Sequence, residues 1–172
     1  YFEDSFFIWH KETEFPENLK FLVIPGGFAF GDRVYDTATG TYTISPGTMA
    51  LKAPVTAIIK EAAARKIPIL GICNGFQILT QMGLLPGKLE LNNNGKFTCK
   101  KVECNVLDLY TTSFYIANSY GKYVIPEAEY VEMKNNGQIL FTYKNTINEV
   151  GSNFGVAGIS NKERTIFGMM PH

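Results

Sequence analysis

Two short runs of consecutive apolar residues mark the first half of the chain, at residues 21–24 (Phe-Leu-Val-Ile) and 67–72 (Ile-Pro-Ile-Leu-Gly-Ile). Apolar side chains at successive positions are typical of strands covered on both faces, as in a parallel sheet between helices. Residues 49–66 and 75–82 instead place apolar residues at helical spacing, although Pro54 disturbs the first turn of the earlier segment. The first half therefore predicts the order strand, helix, strand, helix, with a right-handed crossover.

The second half alternates apolar and polar positions in short segments, which is the pattern of antiparallel strands with one covered face. Turns rich in Asn and Gly separate these segments, for example at residues 92–95 and 135–137. The predicted strands are residues 97–106, 114–117, 122–125, 138–143 and 165–169. Together the two halves predict an α/β fold, with a mostly parallel central sheet flanked by helices and additional antiparallel strands. The polar segment 32–46, rich in Gly and Thr, is expected to be a surface loop.

Composition narrows the class of protein. The 172 residues are 45% hydrophobic and 19% charged, which fits a single globular domain. The 16 Lys and Arg balance the 16 Asp and Glu, so the chain lacks the positive surplus expected of a protein that binds nucleic acid or an anionic membrane. No apolar run approaches the ~20 residues that span a bilayer. The 3 cysteines, without metal-ligand spacing, favour free thiols in a reducing compartment and hence a cytoplasmic location.

The most informative segment is residues 71–77, Gly-Ile-Cys-Asn-Gly-Phe-Gln, where a predicted buried strand meets a predicted helix. A tight turn at this junction places Cys73 at the carboxyl edge of the sheet, as in the nucleophile elbow of hydrolases. Gly71 and Gly75 leave room where strand and helix approach, and the helix N-terminus favours the reactive thiolate. A lone cysteine more often packs as a small hydrophobe, but this spacing at this junction favours a nucleophile.

The other two cysteines, Cys99 and Cys104, lie in a segment of alternating polarity. Neither has a glycine turn beside it or a histidine nearby in the sequence. Cysteine packs well as a small apolar residue, so we expect both side chains to be in the core or half-buried.

Two consecutive glycines, Gly26 and Gly27, follow the other apolar run. Backbone N–H groups at such a strand end can stabilise the oxyanion of an acyl transfer, where the loss of one donor typically costs ~2.7–4 kcal/mol. We assign one donor to the N–H of Gly27 and the other to the N–H of Asn74, directly after the nucleophile. Without the cysteine segment, Pro-Gly-Gly would be interpreted as a plain turn.

Histidine chemistry has two candidates, His10 and His172. A thiolate nucleophile needs a base that accepts a proton and returns it to the leaving group. His172 follows the last predicted strand at the expected edge of the sheet, whereas His10 leads into the charged residues 11–14. We therefore expect His172 to be the base and His10 to be structural or on the surface. Three strand ends would then supply a nucleophile, an amide donor and a base.

The residues at these strand ends resemble the class I glutamine amidotransferases, and more narrowly the glutaminase subunit or domain of phosphoribosylformylglycinamidine synthase from purine biosynthesis. The segment 71–77 is specific to the class, and Cys-Asn-Gly-Phe-Gln together with Gly-Met-Met-Pro-His at 168–172 is specific to the subgroup. The resemblance extends from residue 7 to residue 172. The other matching segments are 9–13 (Trp-His-Lys-Glu-Thr), 25–32 (Pro-Gly-Gly-Phe-Ala-Phe-Gly-Asp) and 83–87 (Gly-Leu-Leu-Pro-Gly).

The resemblance implies a glutaminase that hydrolyses L-glutamine to glutamate and ammonia through a cysteinyl thioester. It implies that Cys73 is the nucleophile and His172 its base. The N–H groups of Gly27 and Asn74 would form the oxyanion hole, and Gln77 would contact the substrate glutamine.

Residues 117–121, Ala-Asn-Ser-Tyr-Gly, match a segment of the family that holds the α-amino and α-carboxylate groups of glutamine through its backbone. The resemblance thereby implies substrate binding by Asn118, Ser119 and Tyr120. The subgroup usually has Ala-His-Gly-Glu-Gly at these positions, so only the roles of the backbone carry over.

The resemblance also implies that the glutaminase itself uses no metal or organic cofactor. Its implied partner is a synthetase subunit or domain that uses ATP and Mg to convert formylglycinamide ribonucleotide to formylglycinamidine ribonucleotide. We expect residues 1–172 to form a single glutaminase domain that lacks the first strand and the first helix of the family. The segment after the catalytic histidine, where the family has the glutamate of its triad, is also absent, so we expect a fragment of a longer polypeptide.

Three alternatives share parts of these motifs. A class I amidotransferase of another pathway would keep Cys73 and His172 but use a different partner, and Met-Met-Pro-His argues against it. A non-catalytic interaction module would keep the fold without the full triad. A cysteine hydrolase or chaperone-like relative would share the turn at Cys73 but usually lacks a glutamine at the position of Gln77.

Overall fold

A computed structural model describes residues 4–31, 46–145 and 149–172 of the chain. Two 3-10 helices, Thr48–Lys52 and Asn153–Gly155, accompany the α-helices and strands of the described residues. In chain order the α-helices and strands are β1 (Leu22–Ile24), α1 (Thr56–Ala64), β2 (Ile69–Ile72), α2 (Asn74–Gln81), β3 (Lys88–Glu90), β4 (Thr98–Val106), β5 (Tyr110–Asn118), β6 (Lys122–Val124), α3 (Glu127–Asn135), β7 (Ile139–Tyr143), β8 (Val156–Ser160) and β9 (Ile166–Met169).

The main sheet has 7 strands in the order β1-β2-β9-β8-β7-β4-β5. Strands β1, β2 and β9 are parallel neighbours, whereas β8, β7, β4 and β5 continue the sheet with antiparallel pairing. A separate antiparallel pair joins β3 to β6. The predicted α/β class with additional antiparallel strands is confirmed, and the antiparallel part of the sheet is larger than the sequence pattern indicated.

The sheet is curled, and this brings the chain beyond β9 back to β5. The N–H of His172 donates to the carbonyl of Tyr115 at 2.8 Å, and the N–H of Tyr115 donates to the carbonyl of His172 at 2.7 Å. Strand β5 would otherwise be a free edge of the sheet. The carboxyl end of β9 therefore lies close to both β2 and β5.

The core consists of two apolar clusters. The larger one packs α1, α2 and α3 against the parallel strands and includes the fully buried Phe76, Leu79 and Ile69. The smaller one lies among β4, β5, β7 and β8, where Cys104 and Tyr143 pack together. Helix α2 belongs to the larger cluster and is buried along almost its whole length, so the N-terminus of this helix is held firmly at the sheet edge.

The structure modifies the predicted bounds of several elements. The helix predicted over residues 49–66 is divided into the 3-10 helix Thr48–Lys52 and α1, because Pro54 has no N–H with which to continue a helix. Strand β5 begins four residues before the predicted start at 114, since a tight turn at Leu107 and Asp108, both with positive φ, returns the chain early.

Three elements were not predicted: β3, α3 and β8. Helix α3 buries only Met133 fully, so its sequence has little apolar periodicity. Strand β8 is buried at every position, but the small residues Ala157 and Gly158 weaken its apolar pattern. The segment predicted as a surface loop, 32–46, lies outside the described residues except for Pro46. No helix in the described ranges is long and apolar enough to cross a membrane.

Candidate active site

Cys73 occupies the single residue between β2 and α2. Its backbone has φ 53° and ψ −105°, a conformation that a residue with a side chain rarely adopts. The Cys73 N–H donates to the carbonyl of Met169 at 2.7 Å, and its carbonyl accepts from the N–H of Gln77 at 3.1 Å. The strand-to-helix turn predicted from the sequence is therefore present, and the main chain of Cys73 is fixed on both sides.

The two glycines beside Cys73 are required by close packing. A Cβ on Gly75 would overlap the carbonyl oxygen of Ile24 at the end of β1, and a Cβ on Gly71 would lie 2.6 Å from Cδ1 of Leu79. Any side chain at either position would separate α2 from the strands. These contacts explain why a glycine stands on each side of the cysteine.

The Pro-Gly-Gly segment lies against the cysteine turn. Strand β1 is parallel to β2 with Ile24 opposite Gly71, so residues 25–28 emerge beside Cys73. A Cβ on Gly26 would lie 3.3 Å from the Cβ of Cys73, which places the two segments in contact. Gly27 has φ 128°, a conformation that glycine adopts without strain. The proximity needed for an oxyanion hole is present, while the roles of the Gly27 and Asn74 N–H groups stay predictions.

His172 follows β9, which is the other parallel neighbour of β2. Because Met169 pairs with Ile72, the residues after both strands emerge at the same edge of the sheet. Pro171 is buried and His172 is exposed, with its backbone held by Tyr115. The placement fits a base beside the nucleophile, and the catalytic role of His172 stays a prediction.

The other histidine, His10, lies in the segment before β1. It is half-buried, its ring lies 4.4 Å from that of Trp9, and its carbonyl accepts the N–H of Val55 at 3.1 Å. These contacts join the segment to the start of α1. They agree with the structural role expected for His10.

A pair of hydrogen bonds connects the cysteine turn to residues 118–121, which comprise the last residue of β5 and the three residues before β6 and are called loop 118–121 below. Nδ2 of Asn74 donates to Oε1 of Gln77 at 2.7 Å, and Nε2 of Gln77 donates to the carbonyl of Tyr120 at 2.9 Å. Gln77 is 1% exposed, so these bonds lie in the protein interior. Gln77 therefore holds the loop, and contact of Gln77 with the substrate stays a prediction.

Loop 118–121 also contains a buried amide side chain. Asn118 is 0% exposed, and neither its Oδ1 nor its Nδ2 has a hydrogen-bond partner among the described residues. Burial of an amide without a partner is costly, commonly ~1–3 kcal/mol for a group in a protein. The substrate binding predicted for Asn118 concerns its backbone and stays a prediction.

Asn92 is a site residue that the sequence reasoning placed only in a turn. It is buried, and three of its atoms form hydrogen bonds with Asn118, Ser119 and Gly121. It stands in the run Leu-Asn-Asn-Asn-Gly, in which nothing distinguishes it from the next two asparagines. Only the folded structure identifies it.

The remaining cysteines differ from each other. Cys104 is fully buried, and burial raises the pKa of its thiol to about 11. Cys99 is exposed, so the expectation that it is packed or half-buried is wrong. Along β4 the even-numbered side chains, including Thr98 and Cys104, face the interior, and Cys99 lies on the opposite face. Within the described ranges, no group of three His, Cys, Asp or Glu residues is arranged to hold a metal ion.

Comparison with known proteins places this geometry among amidotransferases. A family model described as a CobB/CobQ-like glutamine amidotransferase domain matches residues 8–172. Phosphoribosylformylglycinamidine synthase subunit PurQ of Rhizobium etli is 38% identical over 96% of this chain and 74% of its own length. The subunit of the same name from Aquifex aeolicus is 40% identical over 88% of this chain and 70% of its own length.

A solved structure has the same arrangement of elements. The structure of PurLQS from Thermotoga maritima matches 92% of this chain and 71% of the compared chain, with a TM-score of 0.75 and 31% sequence identity.

Proposed function

Because this chain belongs to the CobB/CobQ-like glutamine amidotransferase family, we propose that Cys73 is its catalytic nucleophile and His172 its general base. Its function is that of the glutaminase subunit of phosphoribosylformylglycinamidine synthase, an enzyme of purine biosynthesis. The PurQ relatives favour this function over an amidotransferase of another pathway and over a non-catalytic module. The observation that carries the proposed catalytic role is the turn at Cys73 between two parallel strand ends.

The proposed reaction begins when the Cys73 thiolate attacks the side-chain amide carbon of glutamine. Negative charge develops on the amide oxygen, and the N–H groups of Gly27 and Asn74 donate to it. The oxyanion collapses to a γ-glutamyl thioester as the C–N bond breaks, and His172 protonates the departing ammonia. His172 then takes a proton from a water molecule, which attacks the thioester and releases glutamate and the thiolate.

The backbone conformation of Cys73 supports this assignment. Sparsely populated backbone conformations cost on the order of 1–3 kcal/mol and are concentrated at functional sites. Cys73 is 3% exposed and belongs to the larger apolar cluster, and α2 begins at the next residue. The N-terminus of a helix carries partial positive charge, which favours a thiolate over a thiol.

The proposal also concerns how glutamine is bound and which partner receives the ammonia. Loop 118–121 binds the α-amino and α-carboxylate groups of glutamine through its backbone, with Asn118, Ser119 and Tyr120 as contact residues. The ammonia passes to a synthetase subunit that uses ATP and Mg to aminate formylglycinamide ribonucleotide, while the glutaminase step needs no cofactor. A complex named PurLQS in Thermotoga maritima supports a partner of this kind.

The catalytic assignment is tested by substitution. We expect Cys73→Ala and His172→Ala each to lower the glutamine-dependent rate at least a thousandfold, because nucleophile and base act as one unit. We expect the same variants to retain activity with free ammonia, which needs only the synthetase. Glutamate release and product formation are measured in the complete glutaminase–synthetase assembly.

The exposed Cys99 provides the matched control, since Cys99→Ala removes a thiol outside the proposed site. This variant should keep the wild-type rate with glutamine. Glutamine hydrolysis that persists in Cys73→Ala would contradict the proposal.

A further inference from the structure

We propose that Asn92 is a positioning residue that sets the backbone of loop 118–121 for glutamine binding. This inference rests on the proposed role of the loop as the binding site for the α-groups of glutamine. Asn92 follows β3 and is distant in sequence from both the cysteine turn and the loop. It does not need to touch the substrate to act in this way.

Asn92 forms hydrogen bonds with three residues of the loop. Its N–H donates to the carbonyl of Ser119 at 2.8 Å, and its Nδ2 donates to the carbonyl of Asn118 at 3.0 Å. Its Oδ1 accepts the N–H of Gly121 at 2.9 Å. Asn92 is 2% exposed, so little water competes for these bonds. One side chain thus supplies both a donor and an acceptor, a combination that neither Asp nor Ala provides.

Asn92 is itself held in place by the turn that follows it. Its carbonyl accepts the N–H of Gly95 at 2.8 Å, and its Nδ2 also approaches the carbonyl of Lys96 at 3.1 Å. These contacts fix the backbone of Asn92 and the amide group at the end of its side chain. A side chain fixed in this way loses little further freedom when it binds the loop, so it can act as a rigid support.

The opposite side of the loop is held by Gln77 and Ser152. Nε2 of Gln77 donates to the carbonyl of Tyr120 at 2.9 Å, and Oγ of Ser152 donates to the carbonyl of Gly121 at 3.2 Å. Together with the two carbonyls bound by Asn92, all four carbonyls of residues 118–121 accept hydrogen bonds from the body of the protein. The backbone shape of the loop is therefore determined by three residues outside it.

The orientation of these carbonyls has a direct consequence for binding. A trans peptide unit is planar, so its C=O and the following N–H point in opposite directions. Because the carbonyls of Asn118 and Ser119 are directed at Asn92, the N–H groups of Ser119 and Tyr120 point away from it. Backbone N–H groups that are held in one direction suit the α-carboxylate of an amino acid, which accepts several hydrogen bonds.

The test measures binding separately from chemistry. Asn92→Ala and Asn92→Asp are prepared in the full chain, assembled with its synthetase partner. Alkylation of Cys73 is then timed with a glutamine-mimicking diazoketone, which needs the α-group site, and with iodoacetamide, which does not. We expect the diazoketone rate to fall at least tenfold relative to the iodoacetamide rate. We also expect KM for glutamine to rise at least tenfold while kcat falls less than threefold. This pattern is expected when the bound substrate and the transition state lose the same binding energy.

Asn94→Ala is the matched control, because Asn94 lies in the same turn but bonds to Thr98 and Lys96 rather than to the loop. It should leave the ratio of the two alkylation rates unchanged. If Asn92→Ala does not fold, Asn92→Asp decides, since it keeps the volume and the acceptor for Gly121 but loses the donor to Asn118.

Two results distinguish failure of the inference from failure of the proposed function. An unchanged ratio in a folded Asn92 variant, or an equal change in Asn94→Ala, would overturn the positioning role alone. A wild-type Cys73 that is not alkylated by the diazoketone, or is not protected by glutamine, would overturn the proposed function and this inference with it.

Discussion

At the scale of single residues, the cysteine turn shows how close packing holds a strained conformation. Cys73 keeps a positive φ because its N–H and carbonyl are bound to Met169 and Gln77. Gly75 lets α2 approach the end of β1 until there is no space for a side chain. The strain at Cys73 is thus offset by hydrogen bonds and packing around it.

We expect Gly75→Ala to lower the free energy of unfolding by roughly 3 kcal/mol, the upper part of the range for overpacked sites. The added methyl would overlap the Ile24 carbonyl, a backbone atom that cannot turn aside. It would also displace Cys73 and Asn74, so glutaminase activity should fall. Urea denaturation and glutamate release measure the two effects.

Gly83→Ala is the control for Gly75→Ala, because it introduces backbone strain without steric overlap. Gly83 has φ 69°, and a Cβ there would meet nothing within 4 Å. Its replacement should cost only the left-handed conformation, about 1–2 kcal/mol, and activity should be kept. Equal losses of stability and activity in the two variants would contradict the role assigned to Gly75.

At the scale of elements, α3 shows that a helix can form without strong apolar periodicity. Glu127 and Glu129 stand in its first turn, where negative charge is favourable. Tyr130 stacks on Phe154 with ring centroids 4.0 Å apart, and Met133 enters the larger apolar cluster. Tertiary contacts at these few positions hold the helix, which is why its sequence alone did not predict it.

Met133→Ala should lower the free energy of unfolding by about 2–4 kcal/mol, because it removes the one fully buried side chain of α3. Val131 lies in the same helix but is 49% exposed, so Val131→Ala should change stability by less than about 0.5 kcal/mol. Urea denaturation of both variants measures the difference. Similar values for the two would show that α3 is not anchored through Met133.

At the scale of the whole molecule, the two apolar clusters contain groups that ionise only at high pH. Burial raises the pKa of Cys104 to about 11. Burial also raises the pKa of Tyr123 and that of Tyr143 above the usual range of a tyrosine. All three groups are therefore neutral in the folded protein at neutral pH.

We expect stability to fall as pH rises from about 9 to about 11. An unfolded chain releases the Cys104 proton near its ordinary pKa of 9.0, whereas the folded protein holds it to about 11. The unfolded state therefore binds fewer protons over this interval, and the free energy of unfolding decreases as pH increases. Urea midpoints at pH 7, 9, 10 and 11 measure the loss.

Cys104→Val keeps a small buried side chain without an ionisable proton. Its stability should decline less steeply between pH 9 and 11 than that of the wild type. An identical decline in both proteins would show that Cys104 does not contribute.

The degree to which the site could be predicted depends on how local each feature is. The turn at Cys73 needs only the strand before it, the helix after it and the glycines at 71 and 75, all within one short segment. Asn92 is different, because Asn93 and Asn94 have the same side chain and are exposed. The error at Cys99 has a different reason, because Cys99 and Cys104 are five residues apart and alternation alone places them on opposite faces of β4.

The sequence by itself determined the α/β order of the first half, the cysteine turn and the resemblance to glutamine amidotransferases. These depend on residues that interact with near neighbours along the chain. The tertiary structure alone decided that loop 118–121 is held by Asn92, Gln77 and Ser152, and that His172 pairs with Tyr115. Such contacts join residues far apart in sequence, and their geometry is set by the strand order and register of the folded sheet.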